Sequence, residues 1–199
     1  MMTPKAIELK NISLQRNESI IFENISLDIN KSCIANIFGR NGCGKTSLLK
    51  IIVGLTEATS GSVSINHVNA NDIAYIGHKF GIKDNLTVCE NLKYSNVTDN
   101  VKMETRIEDA LNIYEMSHYK NILVKQLSHG QQKKVSLMKT LMNNYSIWVI
   151  DEPYSALDKK TIDIFNKTMH EFLSTDGTVI ITNHSEINDN YNKVVNYKL

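Results

Sequence analysis

Eight consecutive residues, Gly39-Arg40-Asn41-Gly42-Cys43-Gly44-Lys45-Thr46, fit the pattern G-x-x-x-x-G-K-[ST] at every fixed position. That pattern needs one local setting: a turn leaving a buried strand and opening a helix, whose glycines let backbone N–H groups point inward around a phosphate. The flanks supply it. Residues 33–38 read as a buried strand. Residues 45–54 read as a helix that lays Leu48, Leu49, Ile51 and Ile52 on a sheet, with Gly54 as its C-cap. The helix N-terminus adds its positive dipole end. Lys45 is placed to reach the β and γ phosphates of a nucleotide, and the Thr46 hydroxyl to ligate Mg²⁺. Arg40, Asn41, Cys43 and Ser47 complete the candidate nucleotide contacts.

A second acidic feature fits the first. The apolar run Ile147-Trp148-Val149-Ile150 ends in Asp151-Glu152-Pro153. Ligands of open α/β sheets bind beyond the C-terminal ends of the strands. On its own the pair could be two exposed acids in a loop. Beside a phosphate-binding loop, Asp151 reads as the second Mg²⁺ ligand, and Glu152 as the group that polarises the water attacking the γ-phosphate.

The rest of the chain alternates strands with helices. Short period-2 stretches around Ile7 and Leu9, Ile12 and Leu14, and Ile25 to Ile29 read as strands, as do 62–65, 73–76 and 178–182. Thr87 followed by Glu90 is a capping box that starts a helix at Val88. Ile107, Ala110, Leu111 and Tyr114 keep helical spacing. Further helices are expected over 130–142 and 158–173. This order indicates an α/β fold with a largely parallel sheet, interrupted by a helical subdomain at about 85–142 within a single domain spanning 1–199. Hydrophobic residues at 42% and charged residues at 22% support one ordinary core and exclude a disordered or fibrous chain. A net charge of +1 argues against a dedicated nucleic-acid binder, so no nucleic-acid partner is expected. No apolar run reaches the roughly 18 residues of a membrane helix. Cys33, Cys43 and Cys89 are odd in number and lack metal-ligand spacing, which suits a reducing cytoplasm.

Three more segments carry a resemblance. Leu127-Ser128-His129-Gly130-Gln131-Gln132 is similar to the signature motif of ABC ATPases, Ser155-Ala156-Leu157-Asp158 to their D-loop, and Thr182-Asn183-His184 to their switch histidine. Their order matches that family from about Ile7 to His184. The resemblance implies a P-loop NTPase of the ABC ATPase type, with a mainly parallel sheet core, an antiparallel β subdomain and an inserted helical subdomain. It implies ATP and Mg²⁺ as ligands. It also implies a pair of copies enclosing two nucleotides, with Ser128, His129, Gly130 and Gln131 acting in trans and Asp158 at the dimer interface. His184 would contact the γ-phosphate and orient the water. His129 departs from the family, standing where a signature glycine is usual. His78 takes the place of the Q-loop glutamine. Arg16 aligns with the aromatic residue that stacks on adenine, and a guanidinium there suggests looser base selectivity.

Tyr75-Ile76-Gly77-His78-Lys79-Phe80-Gly81-Ile82-Lys83, with Leu86-Thr87 and Glu90-Asn91-Leu92, resembles the ATP-binding subunits of bacterial cytochrome c maturation systems, described as haem exporters. That resemblance implies an ATPase peripheral to the cytoplasmic face of the inner membrane. Its partners would be a second copy of itself, integral membrane subunits and a haem-handling protein. The alternatives are the ATPase of another exporter, for drugs or lipids, a soluble ABC protein of translation or DNA repair, and a nonhydrolytic nucleotide-binding module.

Overall fold

A computed structural model describes residues 4–66, 72–95, 100–188 and 193–199, without the side chains of residues 100 and 101. In chain order the elements are β1 (Lys5–Arg16), β2 (Ser19–Asn30), β3 (Ile34–Phe38), α1 (Lys45–Ile52), β4 (Ser60–Ile65), β5 (Ile73–Ile76), α2 (Val88–Tyr94), α3 (Asn100–Ile113), α4 (His129–Met138), β6 (Ile147–Ile150), α5 (Lys159–Ser174), β7 (Thr178–Asn183) and β8 (Val194–Lys198). Two compact units emerge. One joins Met1–Tyr75, Ser146–Pro153 and Phe172–Leu199; the other joins Ile76–Tyr145 and Tyr154–Glu171.

The first unit holds two sheets. Strands β2, β1 and β4 form an antiparallel sheet, in that order. The other sheet runs β5-β6-β7-β3-β8, and its β6–β7, β7–β3 and β3–β8 pairs are all parallel. One core serves both sheets: Ile7, Leu9, Ile12 and Ile29 of the antiparallel sheet are buried with Ile37, Leu48, Leu49, Val149 and Ile180. Parallel strands buried on both faces read as unbroken apolar runs, which is why β6 and β7 lack alternation.

The N-terminal strands are longer than the period-2 reading, which expects several short ones. The chain instead forms two 12-residue strands. Their pairing register shifts between Leu9 and Ile12 and again between Ile12 and Leu14. Asn11 and Asn24 take φ of 47° and 54°. A bulge inserts an extra residue, so Leu9 and Ile12, three apart, both face the core. The hairpin closes through Asn17 and Glu18, both at positive φ, as the tightest two-residue turns require.

Helix α1 ends in a Schellman motif: Gly54 N–H donates to Ile51 and Leu55 N–H to Lys50, with Gly54 at φ 73°. The helix expected over 130–142 stops at Met138 and tightens into a 3₁₀ turn, Lys139–Leu141. Strand β8 is an edge strand that its sequence, Val-Val-Asn-Tyr-Lys, does not announce.

The second unit is helical. It buries Leu92, Ile107, Leu111, Tyr114, Val135, Met138 and Phe165. Thr87 caps α2 with the reciprocal Glu90 bond its sequence predicts.

Candidate active site

Parallel pairing decides where chemistry can gather. Strands β3, β7 and β6 lie side by side and run the same way, so their C-terminal ends share one edge. The loop 39–44 leaves β3, Asp151 and Glu152 leave β6, and His184 leaves β7. The fold therefore brings to one edge residues spread over about three quarters of the chain.

Lys45 is buried, and its ammonium donates to the carbonyls of Gly39 at 2.8 Å and Arg40 at 3.0 Å. Both of these partners are neutral dipoles, not anions. Gly44 occupies φ 102°, and a Cβ there would strike Phe22 Cδ1 at 2.6 Å. Only glycine fits between β2 and the start of α1. At Gly39 the obstacle is different: a Cβ would meet the Leu199 carbonyl at 2.7 Å and Cys43 Sγ at 2.9 Å. Arg40 and Asn41 are exposed, and Cys43 and Ser47 are half-buried.

Asp151 is buried, and its two oxygens are oriented by two threonines. Thr46 Oγ1 donates to Oδ2 at 2.7 Å, and Thr182 Oγ1 to Oδ1 at 2.6 Å. Thr182 Oγ1 also accepts from Glu152 N–H at 2.9 Å. Sequence reasoning names Thr182 only as the first residue of the Thr182-Asn183-His184 motif and gives it no role of its own. Glu152 has φ 46°. Its Oε1 stands 3.6 Å from His184 Nε2. The phenol of Tyr75 is pushed up by burial first and by the Asp151 carboxylate second. Arg16 sits exposed at the tip of the β1–β2 hairpin, paired with Ser19.

Mg²⁺ suits this donor set. Among the described residues no three His, Cys, Asp or Glu side chains converge into a cage. The Thr46 hydroxyl and Asp151 carboxylate are hard oxygens in mutual contact. Magnesium is usually held this way, by one or two protein oxygens with waters and substrate phosphates.

The second unit carries the other candidates. Ser128 caps α4 in a reciprocal box: Gln131 N–H donates to Ser128 Oγ at 3.3 Å, and Ser128 N–H to Gln131 Oε1 at 2.9 Å. The Ser128 hydroxyl thus spends an acceptor site on its own helix, and that bond does not use its proton. A Cβ at Gly130 would meet the Ala156 carbonyl at 2.9 Å, so the start of α4 packs against the loop leading to Asp158. Asp158 caps α5, accepting from Thr161 N–H at 2.7 Å. The nearby Thr161 side chain first, and then this Thr161 N–H, hold its carboxyl below the ordinary range. His129 is exposed and rests its ring on Phe80, centroids 5.0 Å apart. Phe80 is itself tied to α4 by the Ser136 hydroxyl, at 2.8 Å from its carbonyl. His78 is exposed two residues earlier.

The chain is similar in sequence and fold to known proteins. The family described as ABC transporter matches residues 22–155. The cytochrome c biogenesis ATP-binding export protein CcmA of Histophilus somni is 33% identical, over 92% of this chain and 89% of its own length. The protein of the same name from Vibrio cholerae is 34% identical, over 91% and 92%. Among solved structures, the ATP-binding cassette MJ0796, a dimer in a post-hydrolysis state bound to ADP and Pi, aligns with a TM-score of 0.78 and 27% identity over 90% of this chain and 88% of that one. By family match, by relatives along nearly its whole length and by fold, the chain belongs to the ABC transporter family.

Proposed function

We propose that this chain is the ATP-hydrolysing motor subunit of the membrane complex that exports haem, or releases a haem-loaded chaperone, in cytochrome c biogenesis. The observation that carries the ATPase half is the shared strand edge where Lys45, Thr46, Asp151, Glu152 and His184 gather. The identity near one third to cytochrome c biogenesis export proteins supports the other half.

In this reading the loop 39–46 surrounds the β and γ phosphates with backbone N–H groups, and the buried Lys45 ammonium neutralises them. Thr46 and Asp151 would hold Mg²⁺, which supplies positive charge to the phosphate oxygens. Glu152 takes a proton from the attacking water as its oxygen bonds to the γ-phosphorus, while the bond to the ADP oxygen breaks. His184 orients that water and contacts the γ-phosphate. Ser128, Gly130 and Gln131 complete the nucleotide site of a second copy, with the Ser128 proton and the free amides of α4 directed at its γ-phosphate. Asp158 lies at that interface. Arg16 covers the base, and His78 stands in the segment that meets the membrane subunits. The dimeric state of the MJ0796 cassette supports the pairing. The chain acts as a single domain whose helical part passes closure to those subunits, at the cytoplasmic face of the inner membrane.

The test is to isolate the membrane complex containing this chain and identify its subunits and bound haem. Integral membrane partners with haem, and ATPase activity abolished by Glu152→Gln, are expected. A complex carrying drug or lipid and no haem would overturn the export half.

A further inference from the structure

Asn36 is fully buried in the middle of β3, between its parallel neighbours Ile181 and Asn196. Its amide nitrogen donates twice, to the Ser185 carbonyl at 3.1 Å and to Asn196 Oδ1 at 2.7 Å. The Asn196 side chain in turn grips both backbone polar groups of one residue, Ile187. Its Oδ1 accepts from Ile187 N–H, and its Nδ2 donates to the Ile187 carbonyl, both at 3.1 Å. Those backbone groups fix which way each amide faces, since an N–H needs an acceptor and a carbonyl a donor.

The cost of this arrangement shows in one atom. Asn36 Oδ1 is buried with no partner among the described residues. A buried polar atom left unsatisfied opposes folding; an apolar side chain of the same branched shape would remove that penalty but take the donor from the Ser185 carbonyl and Asn196 Oδ1, so the two effects offset. Asn36 therefore adds little net core stability. It provides two donors aimed at the segment just past β7.

That segment carries His184. Asn183 Oδ1 accepts from His184 N–H at 2.9 Å, Asn36 holds Ser185, and Asn196 holds Ile187. The backbone is pinned on both sides of His184, whose own side chain is 58% exposed and so is not directed by packing. Its aim toward Glu152 is inherited from the backbone. We propose that Asn36 and Asn196 are positioning residues for ATP hydrolysis, acting by holding the backbone that points His184 at the reacting water. This rests on the role given to His184 above.

The test compares Asn36→Leu, Asn196→Ala and His184→Ala in the full chain. For Asn36→Leu, kcat should fall about 10- to 100-fold with the KM for ATP within about twofold, because a misaimed group loses rate and not ground-state binding. Its Tm should stay within about 4 °C of the parent's, the removed orphan oxygen offsetting the lost donors. Amide exchange at Ile187 should speed up about tenfold or more, while Ile181 in β7 stays protected. Asn196→Ala, on an edge strand, should show the same kinetic split and the same exchange signature. Unchanged kcat, unchanged Ile187 exchange, or a Tm that falls together with Ile181 protection would each overturn the proposal. Full turnover by His184→Ala would instead overturn the role of His184 itself, whatever the asparagine variants do.

Discussion

Glu152 holds its carboxylate near His184 from a backbone conformation that non-glycine residues seldom adopt. Its N–H is anchored by Thr182, which also orients Asp151. One threonine hydroxyl thus positions both acids. Replacing Glu152 with Gln keeps the shape and removes the base. ATP binding should survive, turnover should drop about 10²- to 10⁴-fold, and an ATP-bound dimer should accumulate in size-exclusion chromatography. Lys45→Ala should weaken nucleotide binding instead, measured by titration, since its charge is the only buried cation in the loop. Thr182→Val leaves the Glu152 N–H without its acceptor. It should cost about 1–3 kcal/mol in denaturant unfolding and lower kcat as well. A fall in stability with kcat intact would show that Thr182 supports the fold alone.

At the scale of elements, helix starts carry most of the testable content. The start of α4 lies so close to Ala156 that Gly130→Ala must push one of them aside. About 1–3 kcal/mol of lost stability is expected, with weaker ATP-driven pairing of copies. Asp158 caps α5 with a carboxyl held below its ordinary value of 3.8. A depressed folded value means the cap stabilises above that pH and is lost as pH falls through the folded value. Asp158→Ala should therefore lower Tm at neutral pH, and its deficit against the parent should shrink below about pH 4. What the sequence showed and what it hid follow from distance along the chain. The phosphate loop, the acidic pair after β6 and the Thr87 cap are local patterns, and local patterns are readable. The bulge at Asn11 depends on its pairing with β2, and β8 is recruited by β3. The partners of Asn36 lie 149 and 160 residues away, so nothing near it in the sequence explains a buried amide there. His129, odd as a signature residue, becomes intelligible once its ring is seen on Phe80.

For the whole molecule, the proposed pairing makes a mass prediction. With Glu152→Gln and ATP·Mg²⁺, light scattering should report about twice the 22.5 kDa chain mass, and the parent should return to one chain mass as nucleotide is consumed. A single mass under all conditions would contradict the shared-site reading. Comparing ATP with GTP turnover checks Arg16, where a strict ATP preference would refute looser base selectivity. Finally, the chain has one tryptophan, Trp148, buried in β6 and stacked on Phe172 with ring centroids 4.0 Å apart. It lies three residues before Asp151, which follows directly on that strand, so the protein carries a built-in optical probe. Its ultraviolet emission follows the strand that leads into the acidic pair, with no dye attached and no residue changed.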